Sequence, residues 1–256
     1  YGWEHPLYFD ADTPESAGFT RQPWFDSVGR EAKMLRQSVG IIDISNFAKY
    51  RCTGAGAQDW LNAVFANTMP KTVGRSCLTP LIGVNGGIAG DFTVTRMAED
   101  EFWIIGSGMA ERYHQRFWKM VPMPGDVTFE SMTDAWCGFN IAGPLARKTL
   151  QTLTNTSLAT ADFPFMRSKW LEISGVTCLA LRVSFTGDLG WEIHCKSEDQ
   201  AVVYGALLQA AGIEQGGPVG SRALMSLRVE KGYGSWGREY SPEYWPQEVG
   251  LDGLIK

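Results

Sequence analysis

The chain shows two periods of apolar residues, one typical of helices and one typical of strands. From Trp24 to Val39 apolar residues recur at helical spacing, which predicts an amphipathic helix. Gly40 is the expected end of this helix, and the apolar run 41–45 predicts a strand that leads into a turn. Further helices are predicted after Gly56, at 110–120, from 143–144 to about 153, after the capping pattern of Ser197 and Gln200, and at 222–231.

Short apolar or alternating runs predict the strands. These runs are 49–52, 78–84, 91–97, 102–105, 136–142, 170–173, 176–185 and 190–195. Glycine turns at 85–87, 174–175 and 187–190 separate neighbouring runs and predict hairpins, which pair strands antiparallel. Because the order is not a regular series of parallel β-α-β units, the pattern predicts an α+β fold.

The order of predicted elements contains a weak internal repeat. Each half has a strand, a glycine turn and a helix, followed by hairpins and a closing helix. The repeat predicts two similar lobes of antiparallel sheet and helix. We expect 1–23 to be an N-terminal segment or linker, 24–134 the first half of one domain, and 135–256 its second half.

One carboxylate in each half lies on a predicted strand directly after a glycine turn. Asp91 follows the turn 86–90, and Glu192 follows the turn 187–190. Glu192 is expected to share a strand face with His194, with aromatic and apolar neighbours on the other face. A carboxylate accepts two parallel hydrogen bonds, so these residues could hold a ligand edge with N–H donors or transfer protons. Pairing with an arginine, or exposure to solvent, is the alternative for each.

Arg222 stands near the start of the last predicted helix. A cation at that end opposes the helix dipole by roughly a few tenths of a kcal/mol, so it often has an acidic partner or a ligand. The glycines of 83–90 lead into a strand rather than a helix, and Gly54 with Gly56 lacks a third glycine. Neither pattern predicts a dinucleotide site.

Composition and charge narrow the possible classes. The 256 residues are 44% hydrophobic and 20% charged, a composition typical of globular proteins with one or two domains. The net charge of −5 argues against nucleic acid or an anionic membrane as the main partner. No apolar run predicts a membrane helix, and no signal peptide is visible. Because the chain opens on Tyr1 and stops at Lys256 within an apolar run, we expect a fragment of a longer protein.

The five cysteines are odd in number and far apart in sequence. This distribution favours reduced, buried thiols over a disulfide framework and indicates a cytosol-like compartment. No short spacing of cysteine and histidine predicts a metal site, and three histidines leave few candidates for histidine-based catalysis.

Several stretches resemble, in order along the chain, the folate-binding aminomethyltransferase domain of the glycine-cleavage T-protein. They are 29–31, 40–45 with Lys49, 86–94, 142–144, 186–192 and 220–233. The stretches 2–6 and 235–237 look like the branch fused to flavin-dependent dimethylglycine and sarcosine dehydrogenases. The resemblance implies the cloverleaf fold of that family, with two lobes present here and the third, C-terminal barrel missing.

The resemblance also implies site residues. Tetrahydrofolate would bind in the central cleft, with Asp91 as the catalytic acid near the reacting nitrogen and Glu192 on the pterin edge. Arg222 and Tyr233 would lie in the cofactor-binding region. The T-protein usually has two adjacent acids where this chain has Gly90 and Asp91, so the resemblance assigns the role of the acid to Asp91 alone. The glycine could widen the cleft or reflect a different one-carbon donor.

The implied function is tetrahydrofolate-dependent capture of the methylene released by oxidative demethylation of an N-methyl amine such as dimethylglycine or sarcosine. FAD is expected only in an upstream domain, and no metal is implied. The expected partners are the methylamine, the upstream flavin domain and the missing barrel, in the cytoplasm or, in a eukaryote, the mitochondrial matrix. The alternatives are a non-catalytic folate-binding or regulatory module and a flavin-independent, tetrahydrofolate-dependent O- or S-demethylase.

Overall fold

A computed structural model gives the fold and describes residues 4–13, 15–16 and 18–256. Gly2 and Trp3, which belong to the stretch 2–6 that resembles the dehydrogenase-fused branch, lie outside the described residues. The helices are α1 (Phe25–Gln37), α2 (Ala57–Val64), α3 (Glu111–Trp118), α4 (Ala146–Gln151), α5 (Gln200–Ile213) and α6 (Ser221–Lys231). The strands are β1 (Gly40–Asp43), β2 (Ala48–Thr53), β3 (Ser76–Ile82), β4 (Ile88–Ala98), β5 (Glu101–Gly106), β6 (Thr128–Ser131), β7 (Trp136–Ala142), β8 (Ser168–Ile173), β9 (Val176–Leu181), β10 (Gly190–Lys196) and β11 (Gly217–Pro218).

The chain forms two compact units, and it passes between them several times. The first unit contains the described part of Tyr1–Ser45 together with Cys137–Phe165 and Lys169–Tyr233. The second unit contains Asn46–Trp136, Met166–Ser168 and Gly234–Lys256. These units are spatial clusters, so the division of the sequence into 1–23, 24–134 and 135–256 stays a prediction.

The first unit is built on a six-stranded sheet in the order β11-β1-β7-β10-β9-β8. Strand β1 pairs antiparallel with β7 and parallel with β11, while β9 and β10 form an antiparallel pair. One face of the sheet carries a core that includes Phe139, Ile141, Trp191 and Ile193, and side chains of α4 and α5 complete it. Helices α1 and α6 pack against each other in the same unit.

The second unit is built on a five-stranded antiparallel sheet in the order β3-β4-β5-β2-β6. Its core joins Phe92 and Val94 of β4 to Leu61 of α2 and Trp118 of α3. The predicted α+β class with antiparallel pairing is therefore confirmed. The parallel pair of β1 and β11 makes the first sheet mixed.

Two local predictions are corrected by the structure, and two short strands are added. The strand predicted at 176–185 ends at Leu181, because the backbone N–H of Val183 donates to Leu181 O at 3.0 Å in a local turn and leaves the ladder. Ser197 lies in a 3₁₀ turn, and α5 begins after Asp199 without a side-chain cap, so the predicted capping box does not form. The short strands β6 and β11 were not predicted from the sequence.

The N-terminal segment, predicted to be an entry segment or linker, is attached to the first unit. Its described part accepts hydrogen bonds from the first residues of α6, with Ser221 N donating to Pro6 O and Arg222 N to Leu7 O. No helix of the described residues has the length and hydropathy needed to cross a membrane. Across 4–13, 15–16 and 18–256, no group of three or more His, Cys, Asp or Glu side chains could hold a metal ion.

Candidate functional site

Asp91 lies on β4, four residues after the tight turn that joins β3 to β4. The backbone N–H of Gly86 donates to Gly83 O at 2.9 Å in this turn, and Gly86 has a φ of +84°, which favours glycine. Strand pairing places Asp91 opposite Pro80. Since Phe92 and Val94 pack in the core, the alternation of the strand directs Asp91 to the opposite face, where it is partly exposed.

The surroundings of Asp91 change its pKa. Burial raises the pKa of this carboxyl from 3.8 to about 6, and a hydrogen bond from its own backbone N–H opposes the shift to a smaller extent. A carboxyl that exchanges its proton near neutral pH is typical of acid–base sites. The role of Asp91 as the catalytic acid stays a prediction.

Gly90 has a steric reason to be glycine. A Cβ atom built on it would lie 2.6 Å from a ring carbon of Phe92 and 2.8 Å from Nε2 of His114. A side chain at this position would therefore enter the core rather than the face that carries Asp91. The space that Gly90 leaves is filled by two rings, so this glycine does not leave open space beside Asp91.

His114 is a buried, neutral histidine beneath the strand of Asp91. Its ring centroid lies 4.6 Å from that of Phe92 and 5.5 Å from that of Trp236. Neither ring nitrogen has a hydrogen-bond partner among the described residues, and burial lowers the pKa of His114 to about 4. This histidine therefore packs as an aromatic ring at neutral pH.

Glu192 lies on β10 and is nearly buried, with 8% of its surface exposed. Its neighbours Trp191 and Ile193 belong to the core, as the strand period predicted. On the other face, Nε2 of the fully buried His194 lies 3.3 Å from Glu192 Oε2. The contact between these two side chains fixes the direction of the carboxylate. Glu192 is therefore paired with His194 rather than solvated.

Two residues beside Glu192 were missed from the sequence. Gly138 makes room for His194, since a Cβ atom built on it would lie 2.8 Å from His194 Nδ1. Asn140 is 5% exposed, and its Oδ1 has no hydrogen-bond partner in the described part of the chain. A single amide within the otherwise apolar run of β7 was the sequence signal for Asn140.

Arg222 is held by the N-terminal segment rather than left open. Its Nη2 lies 2.5 Å from Glu15 Oε1, and its guanidinium carbon lies 4.0 Å above the ring of Trp24. Its Nη1 is buried and has no hydrogen-bond partner within the described residues. A pocket of about 380 Å³ opens here, lined by Glu15, Ser16, Gly18, Gln22, Trp24 and Arg222. A ligand carboxylate would have to replace Glu15 to bind Arg222 through Nη2.

The start of the helix that carries Arg222 is positioned by a buried carboxylate. Glu31 of α1 is 6% exposed and accepts hydrogen bonds from Phe9 N at 2.6 Å and Gly220 N at 2.8 Å. Burial raises the pKa of Glu31 despite these bonds. One side chain thus joins α1, the N-terminal segment and the beginning of α6.

Tyr233 follows the other end of α6. Gly232 ends the helix with a φ of +77°, and the Tyr233 ring stacks on Phe185 with centroids 6.1 Å apart. Since α6 has 11 residues, its two ends are about 16 Å apart. Arg222 and Tyr233 therefore lie at opposite ends of one helix, with Tyr233 beside the segment that leads into the strand of Glu192.

The structure brings Glu192, His194 and Asn140 together on one sheet face of the first unit. Asp91 lies in the second unit. In a comparison with protein families, residues 1–256 match the model of the GCVT N-terminal domain. The chain belongs to this family.

Relatives of known name agree with this membership. The chain is 35% identical over 260 residues to mitochondrial dimethylglycine dehydrogenase of Mus musculus, covering 100% of this chain and 30% of the relative. It is 29% identical over 255 residues to an aminomethyltransferase of Anoxybacillus flavithermus, covering 98% and 69%. It is 28% identical over 251 residues to human mitochondrial sarcosine dehydrogenase, covering 91% and 27%. The chain thus spans under a third of the length of the two dehydrogenases.

A solved structure shows the same fold. The glycine cleavage system aminomethyltransferase T of Bartonella henselae superposes with a TM-score of 0.81 at 21% identity, covering 96% of this chain and 66% of that chain. The T-protein fold expected from the sequence motifs is therefore confirmed.

Proposed function

We propose that this domain binds tetrahydrofolate and captures the one-carbon unit released when an N-methyl amine, such as dimethylglycine or sarcosine, is oxidatively demethylated. The observation that carries the proposal is the match of 1–256 to the GCVT N-terminal domain, and the raised pKa of Asp91 supports it. The names of the similar dehydrogenases support the substrate class. The oxidation itself we assign to an FAD-containing part of a longer protein.

Asp91 is proposed as the catalytic acid–base group. With a pKa of about 6 it is mostly ionised at neutral pH, yet it can hold a proton during the reaction. Tetrahydrofolate, when bound, supplies the nitrogen atoms that take up the one-carbon unit. Asp91 would orient the reacting N–H group and accept its proton, and such help typically accelerates a reaction by about 10²–10⁴-fold.

Glu192 is proposed as a binding residue. A carboxylate accepts two parallel N–H donors, which is the pattern on one edge of a pterin ring. The contact with His194 holds this carboxylate in place, and its near-complete burial strengthens the hydrogen bonds that it makes. Arg222 and Tyr233 remain predicted ligand contacts, and their separation along α6 suits an extended ligand.

Two substitutions in the full-length protein separate these roles. Asp91→Asn should leave the Kd for tetrahydrofolate within roughly threefold and lower the rate of methylene-tetrahydrofolate formation from dimethylglycine by about 10²-fold or more. Glu192→Gln should raise the Kd by about tenfold while the rate at saturating folate stays within roughly threefold. Calorimetric titration and a single-turnover assay measure the two quantities.

An unchanged rate for Asp91→Asn would contradict the catalytic role and favour a domain that only binds folate. Equal affinity of the Glu192→Gln variant and the unaltered protein would remove Glu192 from the site. If the unaltered protein does not bind tetrahydrofolate at all, the proposed function is wrong.

A further inference from the structure

Asn140 is a polar residue in a strand whose seven residues are all buried. Its neighbours Phe139 and Ile141 point into the core of the first unit. Because side chains alternate along a strand, Asn140 points to the opposite face. That face also carries Glu192 and His194.

The register of β7 against β10 puts Asn140 beside Glu192. Gly143 N donates to Leu189 O at 2.9 Å, so these two residues lie opposite each other. Because the strands are antiparallel, the residue three positions before Gly143, Asn140, lies opposite the residue three positions after Leu189, Glu192. The position is a non-hydrogen-bonded pair, at which opposite Cβ atoms lie about 4.5–5.5 Å apart. Two further cross-strand contacts have the same register: Gly138 with His194, and Cys137 with Cys195.

The amide of Asn140 is oriented, and its oxygen is spare. Nδ2 donates to the backbone oxygen of Trp191 at 3.3 Å, which leaves Oδ1 buried without a partner among the described residues. Buried polar atoms in native proteins are nearly always hydrogen-bonded, so a spare buried acceptor beside a predicted ligand residue indicates a missing donor. Glu192 and Asn140 together offer adjacent acceptors.

We propose that Asn140 is a specificity-determining residue of the folate site and accepts a hydrogen bond from the exocyclic amino group of the pterin. The carboxylate of Glu192 accepts two parallel N–H groups, one from the ring and one from the amino group. The second N–H of that amino group needs another acceptor, which Asn140 Oδ1 provides. This inference rests on the proposed function and adds a residue to its site.

The test compares two ligands on the full-length protein by calorimetric titration. They are tetrahydrofolate and an analogue that lacks the exocyclic amino group. Asn140→Leu, which keeps the size of the side chain but removes the acceptor, should raise the Kd for tetrahydrofolate about tenfold. Its Kd for the analogue should stay within roughly twofold of the unaltered protein, because the analogue has no donor to lose. Asn155→Leu, at an exposed position, makes the same chemical change as a control.

Thermal unfolding provides a second readout. Asn140→Leu removes an unpaired buried acceptor, which is stabilising, but it also removes the hydrogen bond from Nδ2 to Trp191 O, which is destabilising. The two effects oppose each other, so the unfolding midpoint of Asn140→Leu should stay close to that of the unaltered protein. Asn140→Ala should show the same selective loss if the leucine variant misfolds. An equal loss of affinity for both ligands indicates a merely structural role and overturns the proposal.

Binding of tetrahydrofolate to the unaltered protein distinguishes a failure of the role of Asn140 from a failure of the proposed function. If it binds tetrahydrofolate and the Asn140 variants bind it equally well, the role of Asn140 is wrong and the proposed function stands. If the unaltered protein does not bind tetrahydrofolate, both are wrong.

Discussion

Burial of polar groups at the residues proposed for the site lowers the stability of the folded chain. The carboxyl of Asp91 has a raised pKa, and Oδ1 of Asn140 and Nδ1 of His194 are buried without hydrogen-bond partners among the described residues. A buried polar atom without a partner typically costs about 1–3 kcal/mol. The two unpaired atoms and the raised pKa of Asp91 are expected if a ligand completes the interactions of these residues, since binding sites sacrifice stability for function.

The cost of Asp91 is testable through pH. Its folded-state pKa of about 6 exceeds the unfolded value of 3.8. Ionising Asp91 in the folded chain therefore lowers the free energy of unfolding as pH rises from 3.8 to 6, and the full loss is present above pH 6. Asp91→Asn cannot ionise, so it should raise the free energy of unfolding by about 2–3 kcal/mol at pH 8 and by less than about 1 kcal/mol near pH 4. Urea unfolding at the two pH values measures the difference. Asp12→Asn, at an exposed position, is the control; equal effects of the two substitutions would disprove a raised pKa.

Elements are joined by a few side chains whose partners lie far away in sequence. Glu31 lies on α1, and it accepts the backbone N–H of Gly220, 189 residues later, at the start of α6. The motif 29–31 was noted from the sequence without a role for its acid. The structure gives that role: the carboxylate accepts hydrogen bonds from two backbone donors, of which the N–H of Gly220 is buried.

Glu31→Gln should therefore weaken the first unit. The amide has one acceptor oxygen, and its NH₂ group would face a backbone N–H donor, so one of the two bonds is lost. We expect a loss of about 1–3 kcal/mol in the free energy of unfolding, measured by urea titration. Glu198→Gln makes the same change on an exposed side chain and should have no effect. A stability for Glu31→Gln equal to that of this control would show that the two bonds contribute nothing.

At the scale of the whole molecule, the dependence of stability on pH reflects buried groups in the core. His114 has a pKa of about 4 in the folded chain and an ordinary value of 6.5, so the unfolded chain binds the additional proton between these values. Its contribution is fully present above pH 6.5 and is lost as pH falls towards 4. Asp91 acts in the opposite direction over much of the same range.

Replacing His114 by phenylalanine should remove this loss. The ring is surrounded by aromatic side chains and has two unpaired nitrogens, so an apolar ring of similar size fits its place. From pH 7 to pH 4.5, His114→Phe should lose less stability than the unaltered protein by about 2–3 kcal/mol. Parallel curves for the two proteins over that range would mean that His114 does not titrate in this way.

The sequence by itself determined the local elements and the faces of the strands. Helical spacing, turn glycines and strand alternation located α1, α6, β4 and β10 and placed Glu192 on the same face as His194. These features depend on neighbouring residues, so a periodic pattern encodes them. Weak local signals gave the errors: β6 and β11 are two to four residues long, and β9 ends in a turn that its apolar run conceals.

Only the tertiary structure decided what each polar side chain contacts. Asn140 lies opposite Glu192, Gly90 makes room for His114, and Arg222 pairs with Glu15, although these residues are far apart in sequence. The sequence supplied the chemical types of these side chains but not their partners. Long-range contacts are set by how strands register and how helices pack against them, and no local period carries that information.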